Sequence, residues 1–157
     1  MEFAVFFLAS WLITAIFVIM PKKLSIIENT VTFLLLLVIT INVSWIIIEE
    51  LKLIKETQDS IKHAAYLLNR SVIVPLTLIT QLNILHQSNS VTRFILTTAV
   101  SLIFLLGLRA FSVYFNIISY LKWNFGYDIL YFILLHLIAY YAHQLFRNLT
   151  RNEVDVS

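Results

Sequence analysis

Arg109 is the residue of this 157-residue chain from which chemistry is most readily argued, because it lies inside a long apolar run. A charge there is costly in lipid, so it either reaches the interface along its own stem or meets a carboxylate in the bundle interior. Two acids, Glu49 and Asp128, are expected at the membrane face near which Arg109 sits, which makes Arg109–Asp128 or Arg109–Glu49 the expected pair. Asn42, Gln81 and His136 complete the set of intramembrane polar candidates.

These residues fall on stripes. In the fourth apolar run Thr98, Ser101, Leu105, Arg109, Ser112 and Asn116 advance by three or four positions each, which at about 100° per residue places them on one helix face. Arg70, Thr77 and Gln81 repeat the theme in the third run, Asn42 and Glu49 in the second, and Asp128, His136, Tyr140, His143 and Arg147 in the fifth. Such stripes glue helices together by close packing and hydrogen bonds, line a polar path for an ion, a proton or a small solute, or hold a bound headgroup or cofactor.

His136 is expected mid-helix as a hydrogen-bonded interior histidine, and His143 near the exit as an interfacial one. Paired histidines on one face can ligate haem or a metal, but His63 and His86 fall at joints rather than at matching depth. The chain has no Cys, which removes disulfides, thiolate metal sites and cysteine lipidation. No nucleophile–base pair or glycine-rich phosphate loop stands at a recognisable spacing, so no catalytic residue, metal or cofactor is assigned and no enzyme is expected.

The elements that must position these side chains are five apolar runs, near 3–20, 31–48, 64–85, 94–114 and 126–146. A bilayer core of about 30 Å takes about 20 residues of helix, and the runs meet that length. Composition agrees: 60% of residues are hydrophobic and 13% charged, against about 25% charged in soluble domains. The expected fold is therefore all-α, a single membrane domain over 1–157 formed by a bundle of five transmembrane helices. A net charge of +2 with no basic face gives no reason to expect nucleic acid.

Met1-Glu2 supplies no basic side chain ahead of the first run, which ends in Pro21-Lys22-Lys23, so that run reads as a retained helix and not a cleaved signal. Pro75 should kink the third helix. The polar segment 49–63 carries Leu51, Ile54, Ile61, Ala65 and Leu68 at helical spacings, which describes an amphipathic connector at the interface or an extension of helix two. Lys22, Lys23, Arg93, Arg147 and Arg151 share one face, while Lys52, Lys55, Lys62, Arg70 and Lys122 share the other, so the count is balanced. The Lys22-Lys23 pair directly after the first helix favours an N-terminus outside and a C-terminus inside.

Val72-Ile73-Val74-Pro75, Gln81-Leu82-Asn83-Ile84 and the stretch Asn116-Ile117-Ile118-Ser119-Tyr120-Leu121-Lys122-Trp123-Asn124-Phe125 resemble a family of small, about 160-residue multi-pass membrane proteins common in Gram-positive spore formers. The resemblance covers mainly residues 66–147. It implies a bacterial plasma membrane and the same helical architecture, and carries no biochemical activity with it. The expected role is an accessory or scaffold component that associates with the bilayer and with other membrane proteins or itself. The alternative is a small transporter or channel subunit using Arg109, Gln81, Asn42 and His136 along a polar path.

Overall fold

The computed structural model describes residues 1–87 and 90–154, with side chains as far as residue 148; the side chain of Arg151 lies outside that range. Among the described residues five helical segments are long and apolar enough to cross a membrane, and the protein is all-α with little sheet. Helix α1 (Glu2–Ile19) stops before Pro21, and Met20 takes the extended ψ of 144° that a residue before proline favours. Helix α2 (Ile26–Trp45) opens five residues earlier than its apolar run, because Ser25 and Glu28 form a capping box: the Glu28 amide donates to Ser25 Oγ at 3.1 Å and the Ser25 amide to Glu28 Oε2 at 2.6 Å.

Residues 49–63 do not form an amphipathic helix, which corrects the connector reading. Glu49 and Glu50 finish the second span in a π-helical turn, Ile46–Glu50, and Lys52 then leaves the helix with φ 50°. Strand β1 (Ile54–Glu56) pairs antiparallel with β2 (Ile118–Tyr120) in a two-stranded sheet. Asp59 caps α3 (Ser60–Leu68) by accepting from the amides of Ile61 and Lys62. Burial decides against the helix: Ile54 is fully enclosed beneath the sheet, in one cluster with Phe6, Tyr66, Ile117 and Ile118.

The third span runs through α3, a π-helical turn Asn69–Ile73, and α4 (Val74–Leu85). Pro75 explains the wide turn. Proline has no N–H, and its ring collides with the carbonyl four residues back, so the chain relaxes to the wider register just before it. Val74 accordingly donates to Asn69 O, five residues back. The next bond in that register would join Pro75 to Arg70 O and cannot form; instead Thr40 of α2, itself buried, donates to that carbonyl at 3.4 Å while also reaching Leu37 O at 3.0 Å. Thr40→Val is expected to lower stability in detergent by about 1 kcal/mol. Thermal unfolding of the Thr40→Val/Pro75→Ala double variant checks the cause, since Pro75→Ala supplies an N–H and should shrink that loss.

This span has the lowest mean hydropathy of the five, 1.2, and yet 61% of its window is buried against 11–28% in the others. In lipid the polar residues belong inside, so the least apolar helix takes the centre. Its two parts touch α1, α2, α5 (Val91–Tyr114) and α6 (Phe125–Val154), with Leu78, Ile79 and Leu82 at the core beside Leu36, Leu105, Phe132 and Leu135.

Candidate functional site

Asp128 lies in the first turn of α6 and is fully buried. Three elements converge on it. Helix α5 brings Arg109, whose Nε donates to Asp128 Oδ1 at 2.9 Å. Strand β2 brings Tyr120, whose hydroxyl donates to Oδ2, and the turn after it brings Trp123, whose Nε1 donates to Oδ1 at 3.0 Å. Both carboxylate oxygens are thus engaged by protein donors. Glu49 is exposed and takes no part in this pair; it borders instead a polar cavity of about 370 Å³ with Glu56, whose carboxylate meets His63 Nδ1.

The end of α5 is what aims the chain at this cluster. Asn116, the last member of the polar stripe, takes φ 53°, a left-handed conformation that Asn tolerates. Its amide bonds Val113 O at 3.0 Å and that of Ile117 bonds Ser112 O at 2.9 Å, the two bonds of a Schellman ending, with Ile117 buried. Lys62 Nζ donates to the neighbouring Phe115 carbonyl at 3.0 Å. The chain then turns into β2, and pairing with β1 fixes Tyr120 opposite Ile54.

Burial, and then the hydrogen bond to Asp128, push the Tyr120 hydroxyl above its ordinary range. A tyrosine whose folded pKa is raised contributes stability below its unfolded pKa of about 10, and that contribution declines as pH rises above it. Tyr120→Phe is expected to cost about 1.5–3 kcal/mol at neutral pH, the range for a hydrogen bond to a charged group. It should also flatten the stability loss between about pH 10 and 11, which thermal unfolding against pH would read.

Further along the bundle the stripes meet in pairs. His136 Nδ1 lies 2.6 Å from Phe132 O, which fixes that nitrogen as the donor; Nε2, 2.8 Å from Ser101 Oγ, is then the acceptor of the neutral ring. Gln81 Nε2 donates to Thr98 Oγ1 at 2.7 Å. Asn42 is a correction: it is exposed, with its amide turned back to Val38 O at 2.7 Å. The buried face of α2 is Asn29, Thr32, Leu36 and Thr40, and Asn42 stands about 200° around the helix from Thr40. His143, near the end of the last span, is 2% exposed and packs edge-on against His86.

Comparison with known proteins finds no match: no family model, no curated protein and no solved structure matches this chain significantly. The site is therefore read on its own geometry. Among the described residues no group of three or more His, Asp and Glu side chains is placed to hold a metal.

The sequence reading missed one knot altogether. Asn83, fully buried in α4, accepts from the amides of Lys23 and Leu24 at 3.0 and 3.1 Å. Its own amide donates to Asn29 Oδ1 at 2.7 Å and to Ile79 O at 3.0 Å. Asn29 in turn donates to Leu24 O and Ser25 O, both at 3.0 Å, so the first loop is tied to the central helix. The Ser25-x-x-Glu28 spacing was the available signal, because it draws Asn29 into a helix.

Proposed function

We propose that this protein is an accessory or scaffold component of a bacterial plasma membrane, acting through contact with other membrane proteins and not as an enzyme. One observation carries the reading: four pairs of intramembrane polar groups meet across helix pairs. Gln81 meets Thr98, Ser101 meets His136, Arg109 meets Asp128 and Asn29 meets Asn83. Groups paired in this way close the bundle. The outward faces of α1 and α5 are apolar and exposed, with Phe7, Leu8, Trp11, Ile95 and Ile103 among them, and offer contact area to neighbours in the bilayer. The orientation proposed is N-terminus outside and C-terminus inside, on the Lys22-Lys23 pair.

Affinity copurification in mild detergent, followed by mass spectrometry of the intact complex, tests the role. A membrane protein recovered at fixed stoichiometry supports it; the chain recovered alone or with copies of itself refutes it.

A transporter subunit is the second reading, favoured by one feature. A cavity of about 220 Å³ beside Gln81, Thr98 and His136 shares Leu85, Phe94 and Tyr140 with a more polar cavity lined by His86 and Arg147 at the Lys22-Lys23 end. Flux in liposomes that is lost on Gln81→Leu, with the protein still accumulating, would support that reading.

A further inference from the structure

An apolar cleft of about 390 Å³ lies between α1, α4 and α5 and opens to the outside of the bundle. Leu12 and Ile16 of α1, Thr80 and Ile84 of α4, and Leu96 and Val100 of α5 are in its lining. Its depth follows from helix geometry. The 26-residue third span is about 39 Å long and so overhangs a 30 Å core by about 4–5 Å at each end. Thr80, five residues before the end of α4, then lies about 3 Å inside the hydrocarbon edge, where glycerol esters sit. Phe104, at the far end of the lining, reaches about 16 Å by the same count along α5. The cleft therefore runs from the edge of one leaflet to about the bilayer midplane.

Its walls and its mouth describe its occupant. Thr80 and Gln81 line it, but both are buried and the Thr80 Oγ1 is covered, so the wall it presents is apolar. Above the mouth stand two exposed cations: Lys23, just after α1, and Arg93, one turn before Leu96 on α5. Apolar walls below a cationic mouth match an acyl chain below an anionic headgroup.

We propose that the cleft binds one acyl chain of an anionic phospholipid from the leaflet on the Lys22-Lys23 side. The phosphate sits between Lys23 and Arg93.

The test is lipid titration of the purified full chain in detergent, read by native mass spectrometry, with phosphatidylglycerol and phosphatidylcholine of identical chains. One phosphatidylglycerol is expected per chain, bound about twentyfold more tightly than phosphatidylcholine, since each basic residue near the headgroup contributes roughly fivefold. Lys23→Gln/Arg93→Gln should bring the two lipids within about threefold of each other. Val100→Trp fills the cleft from a side chain that is 60% exposed, so it should leave the melting temperature unchanged and weaken phosphatidylglycerol at least tenfold. Equal binding of the two lipids by the parent chain overturns the proposal. So does unaltered phosphatidylglycerol binding in Val100→Trp, or a shift of that variant from dimer to monomer with lipid binding intact, which would place a second copy in the cleft.

Discussion

Arg109→Leu is expected to destabilise the protein by about 3–5 kcal/mol and to cut its accumulation in the membrane, because it strands a buried charge. Asp128 is fully enclosed, and Tyr120 and Trp123 supply hydrogen bonds but no countercharge. The neutral pairs elsewhere set the scale for comparison. Hydrogen bonds between membrane helices average about 0.6 kcal/mol and reach about 1.7, so Ser101→Ala should stay within that range. The discriminating measurement is the double variant Arg109→Leu/Asp128→Asn, which removes both charges and keeps an amide for Tyr120 and Trp123 to address. It should recover most of the loss in detergent unfolding. If Arg109→Leu alone unfolds within about 1 kcal/mol of the parent, Arg109 is only an interfacial cation and the pair is not structural.

Asn83→Leu is the second large effect, expected at about 3 kcal/mol. The substitution fits the apolar core by volume but leaves the Lys23 and Leu24 amides and Asn29 Oδ1 without their partner, each at roughly 1–3 kcal/mol before the loop relaxes toward water. Relaxation should localise the damage. Hydrogen exchange is expected to speed up at Lys23 and Leu24, while the amides around Asp128, near the opposite end of the bundle, keep their parental rates. Equal acceleration at both ends would mean that Asn83 holds the whole core and not the loop.

The five spans were legible because a bilayer imposes length and apolarity on every crossing, and both can be read residue by residue. The interior stripe of α5 was legible for a related reason: Ser101, Leu105 and Ser112 follow at spacings of four and seven, and all three are buried. Helix starts were less legible. Polar Glu28 and Asp59 look like connector until their capping bonds to the next turn are recognised. The sheet left no trace, since strands of three residues, Ile-Lys-Glu and Ile-Ser-Tyr, are too short to show a period and their pairing is long-range. Tyr120 and Trp123 for that reason carry no sequence signal as partners of Asp128, although the sheet and its turn set both against it. Asn42 failed because one polar residue taken alone does not reveal which way it faces; the row from Asn29 to Thr40 does.

The account turns on the polar stripes being dry seams between helices. The chain has no Cys, so single cysteines can be placed in the parent sequence without background and probed with a membrane-impermeant thiol reagent. The measurement is labelling of Ser101→Cys and Thr98→Cys in intact cells and in inverted vesicles, beside Lys23→Cys and Thr57→Cys as the two aqueous ends. Dry seams predict that Ser101→Cys and Thr98→Cys stay unlabelled from both sides, while Lys23→Cys and Thr57→Cys each react from one side, and from opposite sides. Labelling of Ser101→Cys from either side would show water at the His136 pair and contradict the account in favour of a polar path.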